Sequence, residues 1–135
     1  MSFKSLLAVA LVIGLSLLGC GGESGPALYP VEGIVEIEGG GTATQGEVVL
    51  TSSKYSATGI IGSDGKFKLG TNNPGDGAPV GDYQVTVMGT STGDYTARVR
   101  VIDEKYEAQE TSGLKFTVAA KPNEYKLTLT KPAAK

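Results

Sequence analysis

The sequence predicts an all-β sandwich, built as one domain behind a short apolar leader. Three observations carry that prediction. Apolar and polar residues alternate with period two in several segments, breaks rich in Gly and Asp separate those segments, and no long apolar run recurs after residue 18. Twenty Gly and six Pro in 135 residues, with 40% hydrophobic and only 19% charged positions, suit short strands joined by many turns. The nineteen residues before Cys20 read as a leader, and the remaining 116 have room for a single core.

The leader starts with Met1, Ser2, Phe3 and Lys4, a short cationic lead into an apolar run over residues 6–18. Thirteen residues are too few to span about 30 Å of hydrocarbon as a helix, and the length is that of a signal peptide. Gly19 and Cys20 close the run. Gly21, Gly22, Glu23, Ser24, Gly25 and Pro26 then begin a tether, so the expected division is a leader over 1–19, a tether over 20–30 and the sandwich over 31–131.

The first strand reads from Val31, with Val31, Gly33, Val35 and Ile37 facing inward against Glu32, Ile34, Glu36 and Glu38. Gly39, Gly40 and Gly41 end it. Val48 and Leu50 mark the buried face of the next strand, and segments 55–61 and 66–69 follow. Between those two, Gly62, Ser63, Asp64 and Gly65 predict a tight hairpin, because Asp-Gly supplies the positive φ angles that such turns need.

A polar connection over 70–81 leads to a strand with Tyr83, Val85 and Val87 inward and Asp82, Gln84 and Thr86 outward. The stretch 89–113 is the least regular, with a short strand expected over 97–102 and one helical turn over 104–106. Leu114, Phe116 and Val118, then Tyr125, Leu127 and Leu129, predict a closing hairpin turned through 120–124.

Charge and residue usage exclude several functions. The formal charge of −2 becomes −3 without the leader, since Lys4 is its one charged residue, and this gives no basic field for nucleic acid. The chain has one Cys and no His. An internal disulfide is therefore impossible, and the usual general base, the Ser-His and Cys-His pairs and the commonest zinc ligand are all missing.

Leu17, Leu18, Gly19 and Cys20 resemble the lipobox of bacterial lipoproteins, apart from Leu18, where that family prefers a smaller residue. The resemblance implies cleavage between Gly19 and Cys20 and a diacylglycerol group on the Cys20 thiol. Two or three acyl chains, at about 0.8 kcal/mol per buried CH₂, hold a soluble domain at a bilayer where one chain barely would. Gly21 stands where some bacteria place the Asp that retains lipoproteins at the inner membrane, which implies the outer membrane or cell surface.

Three further segments form a set: Asp64, Gly65, Lys66 and Phe67; the loop from Asn73 and Pro74 through Gly81, Asp82 and Tyr83; and Glu104, Lys105 and Tyr106 with Gly113, Leu114, Asn123 and Tyr125. Together they resemble the small planctomycete-type lipoproteins with a carboxypeptidase-regulatory-like, or transthyretin-like, domain. That resemblance implies a Greek-key β-sandwich of about seven strands and a non-catalytic module.

Several side chains invite chemistry. Asp76 and Asp82, in a loop with Asn72 and Asn73, offer oxygens for calcium, although their spacing fits no EF-hand and Asx-Gly pairs serve tight turns. Ser63 and Ser112 lie beside Gly but in no nucleophile elbow, and Glu36 and Glu38 share an outer strand face with little concavity around them. Tyr83 and Tyr125 have buried phase, leaving Tyr95 and Tyr106 as candidate aromatic surface. Sandwich domains of adhesins can also carry a Lys-Asn isopeptide bond, and no spacing singles out Lys54, Lys66, Asn123 or Glu36 for one.

The expected function is a lipid-anchored, non-catalytic sandwich displayed at the cell envelope. Its partners are the membrane, through the lipid on Cys20, and a protein or envelope component. No cofactor is expected. The alternative is a module binding calcium or glycan through the loops 72–82 or 90–110, and a third reading is a subunit whose partner completes an active site.

Overall fold

The computed structural model describes residues 25–132. Leader, Gly19 and Cys20 lie outside the described residues. Seven strands form: β1 Val31–Ile37, β2 Glu47–Thr51, β3 Ser56–Ile60, β4 Lys66–Lys68, β5 Gly81–Met88, β6 Leu114–Val118 and β7 Asn123–Leu129. They make an all-β sandwich of a three-stranded sheet, ordered β4-β1-β7, and a four-stranded sheet, ordered β3-β2-β5-β6. All pairings between named strands are antiparallel except β1 with β7, which run parallel in a register from Val31 and Asn123 to Ile37 and Leu129.

The period-two pattern is the physical origin of the layers. Val31, Val35, Leu127 and Leu129 from one sheet meet Val48, Leu50, Val85 and Val87 from the other, and each is essentially removed from water. At about 25 cal/mol per Å² of apolar surface, such burial is the main stabilising term of a domain with no described disulfide or metal. Gly33 has a packing role. A Cβ there would lie 2.5 Å from Cζ of Phe67 and 2.0 Å from the Tyr125 carbonyl oxygen, so the ring of Phe67 occupies the space its missing side chain leaves.

Two expected hairpins are not hairpins. The turn at 62–66 does close, with the Gly62 N–H donating to the Lys66 carbonyl at 2.9 Å, but β4 pairs with β1 and β3 pairs with β2. The connection is a corner between sheets, and the two segments meet again only through the Thr58–Gly70 bridge. Pairing Phe67 with Gly33 explains why β4 leaves β3, because the ring gains its place in the core there. Likewise β6 joins β5, and β7 joins β1 in the opposite sheet. Alternation states which face is buried, and two strands on opposing sheets carry the same alternation as a hairpin.

The stretch between β5 and β6 also departs from expectation. No strand forms over 97–102; only an isolated bridge joins Thr92 to Val99. A helical turn does form, as a 3-10 turn at Glu104–Glu107 capped by the Asp103 carboxylate, and a single α-turn, α1, follows at Gln109–Ser112. Among the described residues, no helix is long and apolar enough to cross a membrane.

Candidate functional site

The topology gives the sandwich two distinct poles. The chain enters at one of them, where Tyr29 and Ala78 exchange backbone hydrogen bonds of 2.9 and 3.0 Å. There the buried side chain of Asn123 donates to the carbonyls of Pro30, Ala119 and Lys121 and accepts from the Ala119 N–H at 2.9 Å. Every polar atom of that amide is used, as burial requires. β1 and β7 both start at this entry pole and run to the far pole, where the Glu38 N–H donates to the Leu129 carbonyl at 2.7 Å.

The loop holding Asp76 lies at the entry pole. Its carboxylate accepts from the N–H groups of Thr71 at 2.7 Å, Asn73 at 2.9 Å and Asn72 at 3.2 Å. Burial pushes the carboxyl upward, but the backbone donors of Thr71, Asn73 and Asn72 together outweigh it and hold Asp76 below the usual carboxylate range. Both oxygens thus staple the loop. Asp82 serves elsewhere, accepting from the Thr117 hydroxyl at 2.6 Å on the outer face of β5. Among the described residues, no three His, Cys, Asp or Glu side chains converge as a metal-holding group.

That outer face carries a shallow groove of about 610 Å³ with a mixed lining, in which Tyr83 and Phe116 accompany Thr51, Asp82, Gln84, Gln109, Lys115 and Thr117. Strand register builds it: Thr51, Gln84 and Lys115 lie in one row across β2, β5 and β6, and Asp82 and Thr117 in the next. The individual outward phases were legible in the sequence. Their lateral alignment depends on pairing between distant strands, so no local signal pointed to the groove.

The two tyrosines expected at the surface separate. Tyr95 is 96% exposed, at the tip of an arm that leaves the far pole. Tyr106 is buried, contrary to expectation, because the turn at Glu104–Glu107 directs its ring into the core and its hydroxyl contacts the Thr130 hydroxyl at 3.0 Å while accepting from the Thr130 N–H at 3.1 Å. Tyr83 and Tyr125 follow their phase. Tyr83 donates to the Pro79 carbonyl at 2.8 Å, and Tyr125 stacks on Phe116 with ring centroids 4.0 Å apart and donates to the Lys115 carbonyl. Burial pushes the Tyr125 phenol up to about 12.

Among the remaining candidates, Glu36, Ser112 and Asn123 have structural partners. Glu36 pairs with Lys126 at 3.4 Å, Ser112 donates to the Val85 carbonyl at 2.6 Å, and Glu38 lies beyond the end of β1. Asn123 clamps the chain entry as described, and Lys66 lies in β4 opposite Ile34.

No known protein family's sequence profile matches the chain, and no curated protein matches it. Among solved structures, it is similar to a DUF3823 family protein from Bacteroides ovatus ATCC 8483. The identity is 16%, the TM-score 0.45, and the match covers 77% of this chain. It covers 45% of the other, so the chain spans less than half the length of that protein.

Proposed function

We propose that this chain is a lipid-anchored, non-catalytic β-sandwich module displayed at the cell envelope, where it engages a protein or an envelope component. Cys20 carries the lipid, and the residues from Cys20 up to Tyr29, where the chain joins the fold, tether the domain to the outer membrane or cell surface. The observation that supports the reading best is the pinning of the chain at one pole, by Tyr29 to Ala78 and by Asn123 to Pro30. From there seven residues of β1 carry the fold about 23 Å away, at roughly 3.3 Å per residue. A tether entering at a pole leaves both sheet faces and the opposite pole free for contact.

The two aspartates that suggested a metal site act as structural acceptors: Asp76 for backbone donors and Asp82 for Thr117. This supports a role by contact and not by turnover. The test is Cys20→Ala in the producing cell. Labelling by a fatty-acid analogue should disappear and the domain should move to the soluble fraction; unchanged membrane retention would overturn the anchor.

A second reading, glycan binding, draws on the groove over Asp82, Gln84 and Lys115. Its hydroxyls, amides, carboxylate and ammonium, together with Tyr83 and Phe116, suit a ligand that has both hydroxyl groups and apolar faces. Calorimetry with soluble envelope oligosaccharides tests it, and heat that persists in Gln84→Ala and Lys115→Ala would rule the groove out.

A further inference from the structure

Large apolar side chains left in water are unevenly distributed over this molecule. Five are exposed among the described residues, and four sit at the far pole: Ile60 at 71%, Met88 at 38%, Tyr95 at 96% and Val99 at 57%. Val80 alone lies at the entry pole, beside the start of β5. Singly, each is ordinary for a soluble protein. Their segregation to the pole opposite the chain entry is not what scattered surface residues would give.

Ile60 and Met88 share one row of the four-stranded sheet, with Glu47 between them, at the rim where β5 ends. The arm bearing Tyr95 and Val99 leaves from that rim, and the Gln45 side chain holds its base through the Ser91 carbonyl. The arm itself is a built element. Thr92 and Val99 exchange backbone hydrogen bonds of 2.8 and 2.7 Å. Asp94 accepts from the Thr96 N–H at 2.9 Å, the Thr96 hydroxyl at 2.8 Å and the Ala97 N–H at 3.1 Å. Gly93 sits at φ 96°, where a Cβ would lie 2.0 Å from the Ala97 carbonyl oxygen.

A tyrosine at the tip of such an arm loses little conformational freedom on docking and brings large amphipathic contact area. Its neighbours supply a charge. Arg100 is engaged by Glu107 at 2.7 Å and Glu104 at 3.6 Å, whereas Arg98, also exposed, has no ion-pair partner among the described residues. Tyr and Arg are, with Trp, the residue types enriched where a few side chains dominate protein binding.

We infer that the far pole, with Tyr95, Arg98 and Val99 on its arm and Ile60 and Met88 on its rim, is a docking surface for a protein that offers an apolar cleft to Tyr95 and a carboxylate to Arg98. A protein fits better than a bilayer. Glu47 between Ile60 and Met88, and Asp94 directly before Tyr95, would have to be desolvated or placed against an anionic headgroup layer if this pole entered a membrane. The surface itself stands on exposure, arm geometry and charge; its outward direction rests on the anchoring proposed above.

The test uses the full-length protein in the cell that makes it, with a benzophenone photo-crosslinking residue placed in turn at Tyr95, Val99 and Val80. Positions 95 and 99 should each give the same discrete protein adduct, and position 80 should not. Arg98→Glu should reduce that adduct at least roughly five-fold, and the crosslinked peptide should carry Asp or Glu beside apolar residues. The protein so identified, purified, should bind the full-length chain with an affinity that falls roughly 30-fold in Tyr95→Ala. Melting curves of each variant check that the fold is intact.

No adduct, an adduct equally strong from position 80, adducts to lipid alone, an adduct between two copies of this chain, or a loss under threefold in Tyr95→Ala overturns the inference. Fractionation and fatty-acid labelling of the same cells read the anchor separately. Anchored protein without the adduct removes the docking surface alone, and soluble protein with it removes the anchor alone.

Discussion

Asn123 and Pro30 are joined twice: the backbone N–H of Asn123 donates to the Pro30 carbonyl at 2.8 Å, and its side-chain amide donates to the same oxygen at 3.2 Å. One residue thereby fixes the start of β7 beside the start of β1 and closes the 119–122 connection between the sheets. Asn123→Ala leaves the Ala119 N–H and several carbonyls short of partners around a buried site. The expected loss is about 2–3 kcal/mol of unfolding free energy, measured by urea titration. A loss under about 0.5 kcal/mol, the range of ordinary surface substitutions, would show that water replaces the clamp.

Gly33→Ala should be more damaging than its single methyl suggests. The new Cβ meets both the Phe67 ring and the backbone oxygen of Tyr125. Overpacking of this kind costs typically 1–3 kcal/mol, and here two strands of the sheet must part. Phe67→Leu relieves the ring contact but not the carbonyl, so the double variant should recover only part of the loss in melting temperature. Full recovery would assign the strain to Phe67 alone.

Much of this architecture is legible in the sequence, and the limits have a common cause. The inward phases of Val48, Leu50, Val85, Val87, Leu127 and Leu129 follow from alternation, because period two is a local property of a strand. Partner choice is not local. β4 goes to β1 because Gly33 leaves room for Phe67, and β7 goes to β1 because Asn123 grips Pro30, relationships that span more than thirty and ninety residues. The candidate site divides the same way. Tyr95 could be placed at the surface from its polar surroundings, whereas the burial of Tyr106 depends on Thr130, distant in sequence, whose half-buried hydroxyl and N–H meet the phenol.

Acid should weaken the fold through Asp76. Its folded pKa lies below the 3.8 of an unperturbed carboxylate in the unfolded chain, with burial opposed and outweighed by the N–H donors of Thr71, Asn73 and Asn72. Between those two values the unfolded state binds more protons, so stability rises with pH there. The contribution is fully present above the unfolded pKa and is lost as pH falls through the folded one. Asp76→Asn should lower stability at neutral pH and flatten the decline in acid. An unchanged acid limb in urea titrations would relocate the effect to other carboxylates.

Base should act through Tyr125. Burial raises its phenol from 10.0 to about 12, so the folded state keeps a proton that the unfolded state releases. Stability from this group is complete below pH 10 and declines as pH rises from there toward 12. Tyr125→Phe keeps the stack on Phe116, loses the hydrogen bond to the Lys115 carbonyl and removes that alkaline decline. Burial and the neighbouring Tyr55 also raise the Tyr83 phenol, so phenolate absorbance should show both Tyr83 and Tyr125 titrating above the ordinary value, and the component lost in Tyr125→Phe identifies Tyr125.

Tyr95 and Tyr106 should respond oppositely to substitution. The Tyr106 hydroxyl contacts the Thr130 hydroxyl and accepts from the Thr130 N–H, so Tyr106→Phe leaves that half-buried N–H without its partner and should cost about 1 kcal/mol. Tyr95 is nearly free in water, and Tyr95→Ala should stay within about 0.5 kcal/mol of the parent. Urea titration of the two variants checks both statements. A destabilising Tyr95→Ala would mean that the arm tip serves the fold, since a side chain retained for binding has no stability to lose in the unbound protein.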